Sequence, residues 1–311
     1  MKILITGSAG YIGSILCTEL LKIGHQVIAI DKITYSRNAL NHLFFYKNFK
    51  FIKADVRNKS VLKFYLNNVD FVIPLAALVG APLCEKNKKL ATQVNLNQIK
   101  NILSLIKKNQ KIIYLNSNSG YGVGEKNKFC DENSPLNPIS HYGKTKVQAE
   151  KLVIMRKEKN FVCFRLATVF GYSYRMRTDL IVNFFVKESV TKNKITIFEP
   201  HFRRNFIHVR DVVNAIIFSI KNFKKLNGEV FNLGLSSANI TKIELAKKVK
   251  KVNTKTKIKV VHGIKDPDQR DYFVSNKKIE KKGFKAKISL DDGIREVNEV
   301  LKLSSNYENN Y

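Results

Sequence analysis

Cysteine is scarce in this chain. Four cysteines stand in 311 residues, Cys17, Cys84, Cys130 and Cys163, and no two form a C-x-x-C pair. A structural zinc site and a disulfide framework both need tighter clustering, so neither is expected and the thiols read as core side chains. No metal is called for. Long apolar runs are missing as well. None approaches the ~18 residues that a membrane helix needs. Residues 1–6 are too short for the apolar region of a signal peptide, and no small-residue cleavage site follows. A cytoplasmic protein without a membrane partner is expected. Acidic residues are also few. The chain carries 25 Asp and Glu against 55 Lys and Arg, a net charge of +30. The lysines are scattered over the whole length and do not cluster with aromatics, as a nucleic-acid footprint would. They read as solvated surface, and no nucleic-acid partner is expected. Such a charge steers small anions toward the protein.

What is present is a 44% hydrophobic chain, enough for a substantial core. Apolar strand-like runs alternate with helical stretches through the first half. Strands are expected at residues 2–6, 26–30, 50–53, 69–75, 111–115 and 161–166. Helices are expected at 11–23, 90–107 and 142–157. That alternation predicts an α/β fold of βαβ units on a doubly wound parallel sheet. After Gly171 the rhythm breaks. Residues 1–171 form one unit, to which 207–235 return through a helix at 211–220 and a strand at 229–233. Residues 172–206 and 236–311 form a smaller lobe, placed over the carboxyl ends of the strands where α/β folds bind ligands.

The turn after the first strand reads TGSAGYIG, residues 6–13. Glycines there let the backbone turn sharply and approach a pyrophosphate, and the helix that follows presents N–H groups and a positive dipole end. The strand–turn–helix setting makes Gly7, Gly10, Tyr11, Ile12 and Gly13 a dinucleotide site with the Rossmann pattern. Asp31 ends the second strand, eighteen residues past Gly13. A carboxylate at that place accepts both hydroxyls of the adenosine ribose and repels a 2′-phosphate, which predicts NAD as the cofactor. Lys32, beside it, is the one residue there that suits a 2′-phosphate.

Tyr142 and Lys146 are spaced i,i+4 at the start of a helix, so both side chains share a face. A free phenol has a pKa of ~10, a poor base at neutral pH. Lowering that by ~3 units takes about 4 kcal/mol, within reach of an ammonium and a nicotinamide cation in a sheltered site. The spacing alone is common on surface helices, but the segment NSNSGYG, residues 116–122, gives it context. A hydroxyl at Ser117 can bond the oxygen that Tyr142 deprotonates.

With these motifs in view, the chain resembles the extended short-chain dehydrogenase/reductases, the NAD-dependent epimerase/dehydratase family. The likeness runs through TGSAGYIG, Asp55-Val56, Leu75-Ala76-Ala77, the Ser117 segment, YGKTK (142–146), RLATVFG (165–171) and RNFIHVRD (204–211). It departs at Pro74, where the family often has His. The resemblance implies that Asp55 and Val56 contact the adenine and that Leu75, Ala76 and Ala77 line the cofactor ribose. It implies that Ser117, Tyr142 and Lys146 are catalytic, with Tyr142 and Lys146 also against the nicotinamide ribose. Arg204 matches an arginine that grips a substrate diphosphate. A homodimer through helices that include the Tyr142 helix is implied, with a loop-mediated tetramer as the alternative.

Family members with 4,6-dehydratase activity carry Asp and Glu directly after the catalytic Ser or Thr. Here Asn118 and Ser119 stand there, and neither is an acid–base at neutral pH. The 3,5-epimerases place a cysteine where Ser119 stands. Oxidation or reduction at C4, or C4 epimerisation, remains. The loops at 73–87, 116–127, 175–183, 202–211 and 232–242 look like those of bacterial NAD-dependent 4-dehydrogenases of GDP-heptoses, which serve capsule and surface-polysaccharide pathways. The expected substrate is a nucleotide sugar. Its candidate contacts are Asn118, Ser119, Thr168, Arg175, Arg177, Asn183, Arg204 and Arg270. Cys84 and His208 read as packing residues.

Overall fold

The computed structural model describes residues 1–35, 37–125, 128–263 and 270–303. Its strands, in chain order, begin with β1 (Lys2–Thr6), β2 (Gln26–Asp31), β3 (Phe49–Lys53), β4 (Phe71–Pro74) and β5 (Lys111–Ser117). They continue with β6 (Phe129–Cys130), β7 (Phe161–Leu166), β8 (Thr168–Phe170), β9 (Lys194–Phe198) and β10 (Arg203–His208). The last are β11 (Glu229–Leu233), β12 (Asn239–Thr241), β13 (Lys257–Val261) and β14 (Phe273–Val274). Seven strands build one parallel sheet in the order β11-β7-β5-β4-β1-β2-β3. The order reverses between β1 and β4, so a crevice opens at their carboxyl ends, the place where doubly wound sheets bind ligands.

Side chains alternate across that sheet, as a pleated strand requires. Ile3, Ile5, Phe71, Ile73, Ile113, Leu115, Val162 and Phe164 point to one face. The helices Tyr11–Lys22 and Val209–Lys221 cover it, and the same core runs on under Ile181–Lys192, Lys242–Val252 and Leu290–Leu303. Leu4, Ile28, Val72, Ile112, Tyr114 and Cys163 point to the other face, covered by Lys59–Leu66, Gln98–Leu105 and His141–Ile154. Burial on both faces explains why these strands read as continuous apolar runs. The smaller sheets are β12-β10-β8, β13-β9 and β14-β6.

One helix differs from its expectation. The stretch expected as a single helix at 90–107 is α-helical over Lys88–Thr92, π-helical over Gln93–Asn97 and α-helical again over Gln98–Leu105. The reason is Asn95. Its amide oxygen accepts the Leu78 backbone N–H at 2.8 Å and its amide nitrogen donates to the Leu78 carbonyl at 3.0 Å. One extra residue in the turn places that side chain against the segment leaving β4. Among the described residues no helix is long and apolar enough to cross a membrane.

Candidate active site and cofactor cleft

The glycine turn is built by close approach. Gly7 has φ +69°, and a Cβ there would stand 2.5 Å from the Ala76 backbone nitrogen. A Cβ on Gly13 would stand 2.3 Å from the Gly7 carbonyl oxygen. Only hydrogen fits at either position, so the first helix starts hard against the turn. Gly10, its N-cap, gives it no side-chain cap, which leaves its first amides to a ligand. Asp31 fastens the turn to the end of β2, for Oδ2 accepts the Ala9 N–H at 3.0 Å and Oδ1 the Ile33 N–H at 2.7 Å. Burial pushes its carboxyl above the usual range, while those amides and the charge of Arg175 pull it back. A cradle that a Cβ would fill, an uncapped helix start and a braced carboxylate fit a dinucleotide.

Lys32 pairs with a second carboxylate. Its Nζ lies 3.5 Å from Asp55 Oδ2. Asp55 is also gripped by Arg57, through Nε at 3.0 Å and Nη2 at 2.7 Å, which holds its carboxyl well below the usual range. Val56 is buried beside it. Leu75, Ala76 and Ala77 leave β4 directly opposite the turn. The Leu75 amide donates to the Thr6 carbonyl at 2.9 Å, and Gln98 Nε2 donates to the Ala76 carbonyl.

The catalytic candidates come from β5 and the helix His141–Ile154. Ser140 caps that helix, its Oγ accepting the Gly143 N–H at 3.1 Å. The buried positions Lys146, Ala149, Glu150 and Val153 recur at helical spacing and seat the helix on the sheet. Tyr142, one turn before Lys146, is half-buried at the helix start. Lys146 Nζ lies 4.3 Å from the ring centroid of Tyr114 on β5, whose hydroxyl donates to the Lys146 carbonyl at 3.2 Å. Burial pushes the Lys146 ammonium down to about 7, and Glu150 opposes that fall. Ser117 ends β5, and its Oγ accepts the Ser119 N–H at 3.2 Å. Beneath this group lies a buried ion pair that the sequence motifs did not bring out. Arg165 Nη2 donates to Glu150 Oε1 at 2.8 Å, and Asn116 Nδ2 donates to Glu150 Oε2 at 2.6 Å. The spacing of Glu150, one turn beyond Lys146, was its only sequence signal.

The substrate candidates are divided. Asn118 and Ser119 follow Ser117 and are 2% and 3% exposed, with the Asn118 amide and the Ser119 hydroxyl unpartnered by protein groups. Thr168 begins β8 in register with Phe206 of β10. Arg204 is buried on β10, and Arg270 is half-buried on a neighbouring segment. Arg203 Nε donates to Asp271 Oδ1 at 2.8 Å, and the Tyr272 amide donates to the Arg203 carbonyl at 3.3 Å, which fixes the two segments side by side. Residues 266–269, singled out with Arg270, lie outside the described residues.

Three of the candidates are engaged by the protein's own groups. The Asn183 amide is consumed by the protein. It donates to the Arg177 carbonyl at 2.9 Å and the Tyr11 hydroxyl at 3.3 Å, and it accepts the Gly171 N–H at 3.1 Å. Arg177 is buried, its guanidinium is paired with Asp179, and Tyr142 is near enough to interact with its charge. Arg175 lies over the ring of Tyr35, on the loop leaving β2. Tyr11 is likewise turned inward, its hydroxyl donating to the Gly171 carbonyl at 2.6 Å, so what it offers a cofactor is backbone. His208 and Cys84 are packing residues. His208 Nε2 meets Glu296 Oε2 at 2.7 Å, and Cys84 Sγ donates to the Leu78 carbonyl at 3.1 Å.

The sequence matches the model of the NAD dependent epimerase/dehydratase family over residues 3–234. The chain belongs to that family. Relatives within it include an uncharacterized UDP-glucose epimerase, YtcB, of Bacillus subtilis, 32% identical over 248 residues, 75% of this chain and 77% of the relative. The human dTDP-D-glucose 4,6-dehydratase is 27% identical over 94% of this chain and 88% of its own length. Among solved structures, the UDP-glucuronic acid 4-epimerase of Bacillus cereus, in complex with UDP-glucuronic acid and NAD, superposes with a TM-score of 0.87. It is 26% identical, over 97% of this chain and 99% of that one. Family membership makes the chain an NAD-dependent enzyme of the sugar-nucleotide epimerase/dehydratase type.

Proposed function

We propose that this enzyme oxidises a nucleotide sugar at C4 and releases a 4-keto sugar without dehydrating it. NAD, when bound, supplies the oxidising power by accepting a hydride from the sugar carbon. Tyr142 takes the proton of the C4 hydroxyl. Lys146, on the same helix face, stabilises the phenolate, and Ser117 hydrogen-bonds the reacting oxygen. The observation that carries the reading is the pair after Ser117. Asn118 and Ser119 are neutral and buried where a dehydratase needs an acid and a base, so elimination of water across C5 and C6 has no proton donor or acceptor. The arginines at 204 and 270 are suited to the diphosphate. We take the substrate to be a GDP-heptose of a capsule or surface-polysaccharide pathway, on the likeness of the substrate loops.

A second reading, C4 epimerisation, is supported by relatives that bear the name UDP-glucose 4-epimerase. The two separate in one experiment. The enzyme is incubated with a panel of GDP-, UDP- and dTDP-sugars while NADH emission and sugar products are followed. A 4-keto product with accumulating NADH supports oxidation. An isomeric sugar with no net redox change overturns it in favour of epimerisation.

A further inference from the structure

The segment after β8 crosses the start of the first helix and is fastened there. Ser173 Oγ donates to the Tyr11 carbonyl at 2.6 Å and meets Ser14 Oγ at 3.1 Å. Tyr174 then packs its ring on His42 at 4.2 Å between centroids, and His42 Nε2 shares a hydrogen bond with Thr18 Oγ1 at 2.8 Å. Between these fastenings and Arg177 lies Arg175. It is 4% exposed, and its guanidinium carbon stands 4.6 Å from the ring centroid of Tyr35. Tyr35 lies four residues beyond Asp31, on the loop leaving β2. A chain segment remote in sequence thus delivers a buried cation to the end of the strand that carries the ribose-binding carboxylate.

We infer that Arg175, stacked on Tyr35, is a cofactor-specificity residue acting together with Asp31 at the adenosine ribose. Its guanidinium offsets the desolvation of Asp31 and favours the ionised carboxylate, the form that accepts ribose hydroxyls. Stacking on an aromatic face holds the guanidinium in one orientation. The same charge gives the site a latent second specificity. With the carboxylate removed, Arg175 would face a 2′-phosphate, an anion that offers a pair of oxygens to the planar guanidinium fork. Discrimination against NADP then falls to Asp31, against a positive charge already built in. The inference does not depend on which sugar is oxidised.

The test is equilibrium binding of NAD and NADP, by calorimetry, to wild type, Arg175→Met, Arg175→Lys, Asp31→Asn and the Asp31→Asn/Arg175→Met double variant. Arg175→Met is expected to weaken NAD about tenfold, the size of one interaction with a charged group, and Arg175→Lys to recover part of that loss. Asp31→Asn is expected to weaken NAD and tighten NADP about tenfold by the same measure, and the NADP gain is expected to vanish in the double variant. A merely structural Arg175 would lower both cofactors equally and leave the NADP gain intact. Unchanged NAD binding in a cooperatively melting Arg175→Met protein overturns the inference, as does an NADP gain that survives in the double variant. Should Arg175→Met fail to fold, Arg175→Lys and Arg175→Gln are compared. Equal loss of NAD affinity in the two overturns it, and a loss confined to Gln supports it.

Discussion

Asn116 Nδ2 donates to Glu150 Oε2 at 2.6 Å, and that contact joins the strand presenting Ser117 to the helix presenting Tyr142 and Lys146. The other end of the same amide finishes the link, since Asn116 Oδ1 accepts the Ser117 backbone N–H at 2.8 Å. Glu150 is 1% exposed and is also held by Arg165. One buried carboxylate therefore sets the spacing of the hydroxyl, the phenol and the ammonium.

Glu150→Gln leaves the Arg165 guanidinium buried without a counter-charge. Breaking one side of a buried pair costs about 3–5 kcal/mol. Urea denaturation is expected to show a loss of that size. A Glu150→Gln/Arg165→Met double variant, which removes both charges, is expected to recover much of it. Additive losses in the double variant would refute the pairing as the cause.

Tyr142→Phe removes one oxygen from the half-buried helix start and leaves the cap at Ser140 untouched. Turnover on an accepted sugar nucleotide is expected to fall about 10²–10⁴-fold, the span of general-base catalysis. NAD binding, read by calorimetry, is expected to persist. Undiminished turnover would remove Tyr142 from the mechanism.

Lys146 makes the stability of the cofactor-free protein depend on pH. Its folded pKa is pushed down to about 7 by burial, far below an ordinary lysine. Between those two values the unfolded chain binds the extra proton, so this group adds stability as pH rises from about 7 toward 10. Below pH 7 the folded protein carries a buried charge at full cost. Lys146→Met is therefore expected to be the more stable protein at pH 6. Its advantage, up to about 4 kcal/mol, is expected to shrink as pH approaches 10. Parallel melting curves for the two proteins across that range would contradict the assignment.

Much of this was legible in the sequence, and the parts that were not have a common cause. The strand at 161–166 was readable to the residue because it is buried along its whole length inside the parallel sheet, and the edge strand at 229–233 was marked by its buried Phe231 and Leu233. Gly13 was readable because its close contacts are with Gly7 and Ser8, a few residues back. The break in the helix after Thr92 was not, since it answers to Leu78, far away in the chain. The partners of Arg175 and Asn183 were hidden for the same reason. A loop arginine looks alike in sequence whether it faces a diphosphate or Tyr35, and an amide shows no sign of partners on Tyr11 and Gly171.

Gly13→Ala tests the local part directly. The new Cβ would stand 2.3 Å from the Gly7 carbonyl oxygen and 2.8 Å from the Ser8 Cα, both backbone atoms. The turn or the helix must shift, at about 1–3 kcal/mol by the measure of overpacked cores. Calorimetry is expected to show NAD binding weakened by at least about tenfold, the equivalent of the lower half of that range. Wild-type affinity would mean that the turn yields where its packing says it cannot.

The hydroxyl of Tyr11 bonded to Gly171, and Ser173 bonded back to Tyr11, mean that the nucleotide motif is not a portable cassette. It is written within the first 13 residues, yet its brace is supplied by a part of the chain made much later. A fragment cut before residue 171 keeps every letter of the motif and the Asp31 brace, and loses the contacts that hold Tyr11. A piece of this protein that keeps Tyr11 as it stands here must extend past Asn183.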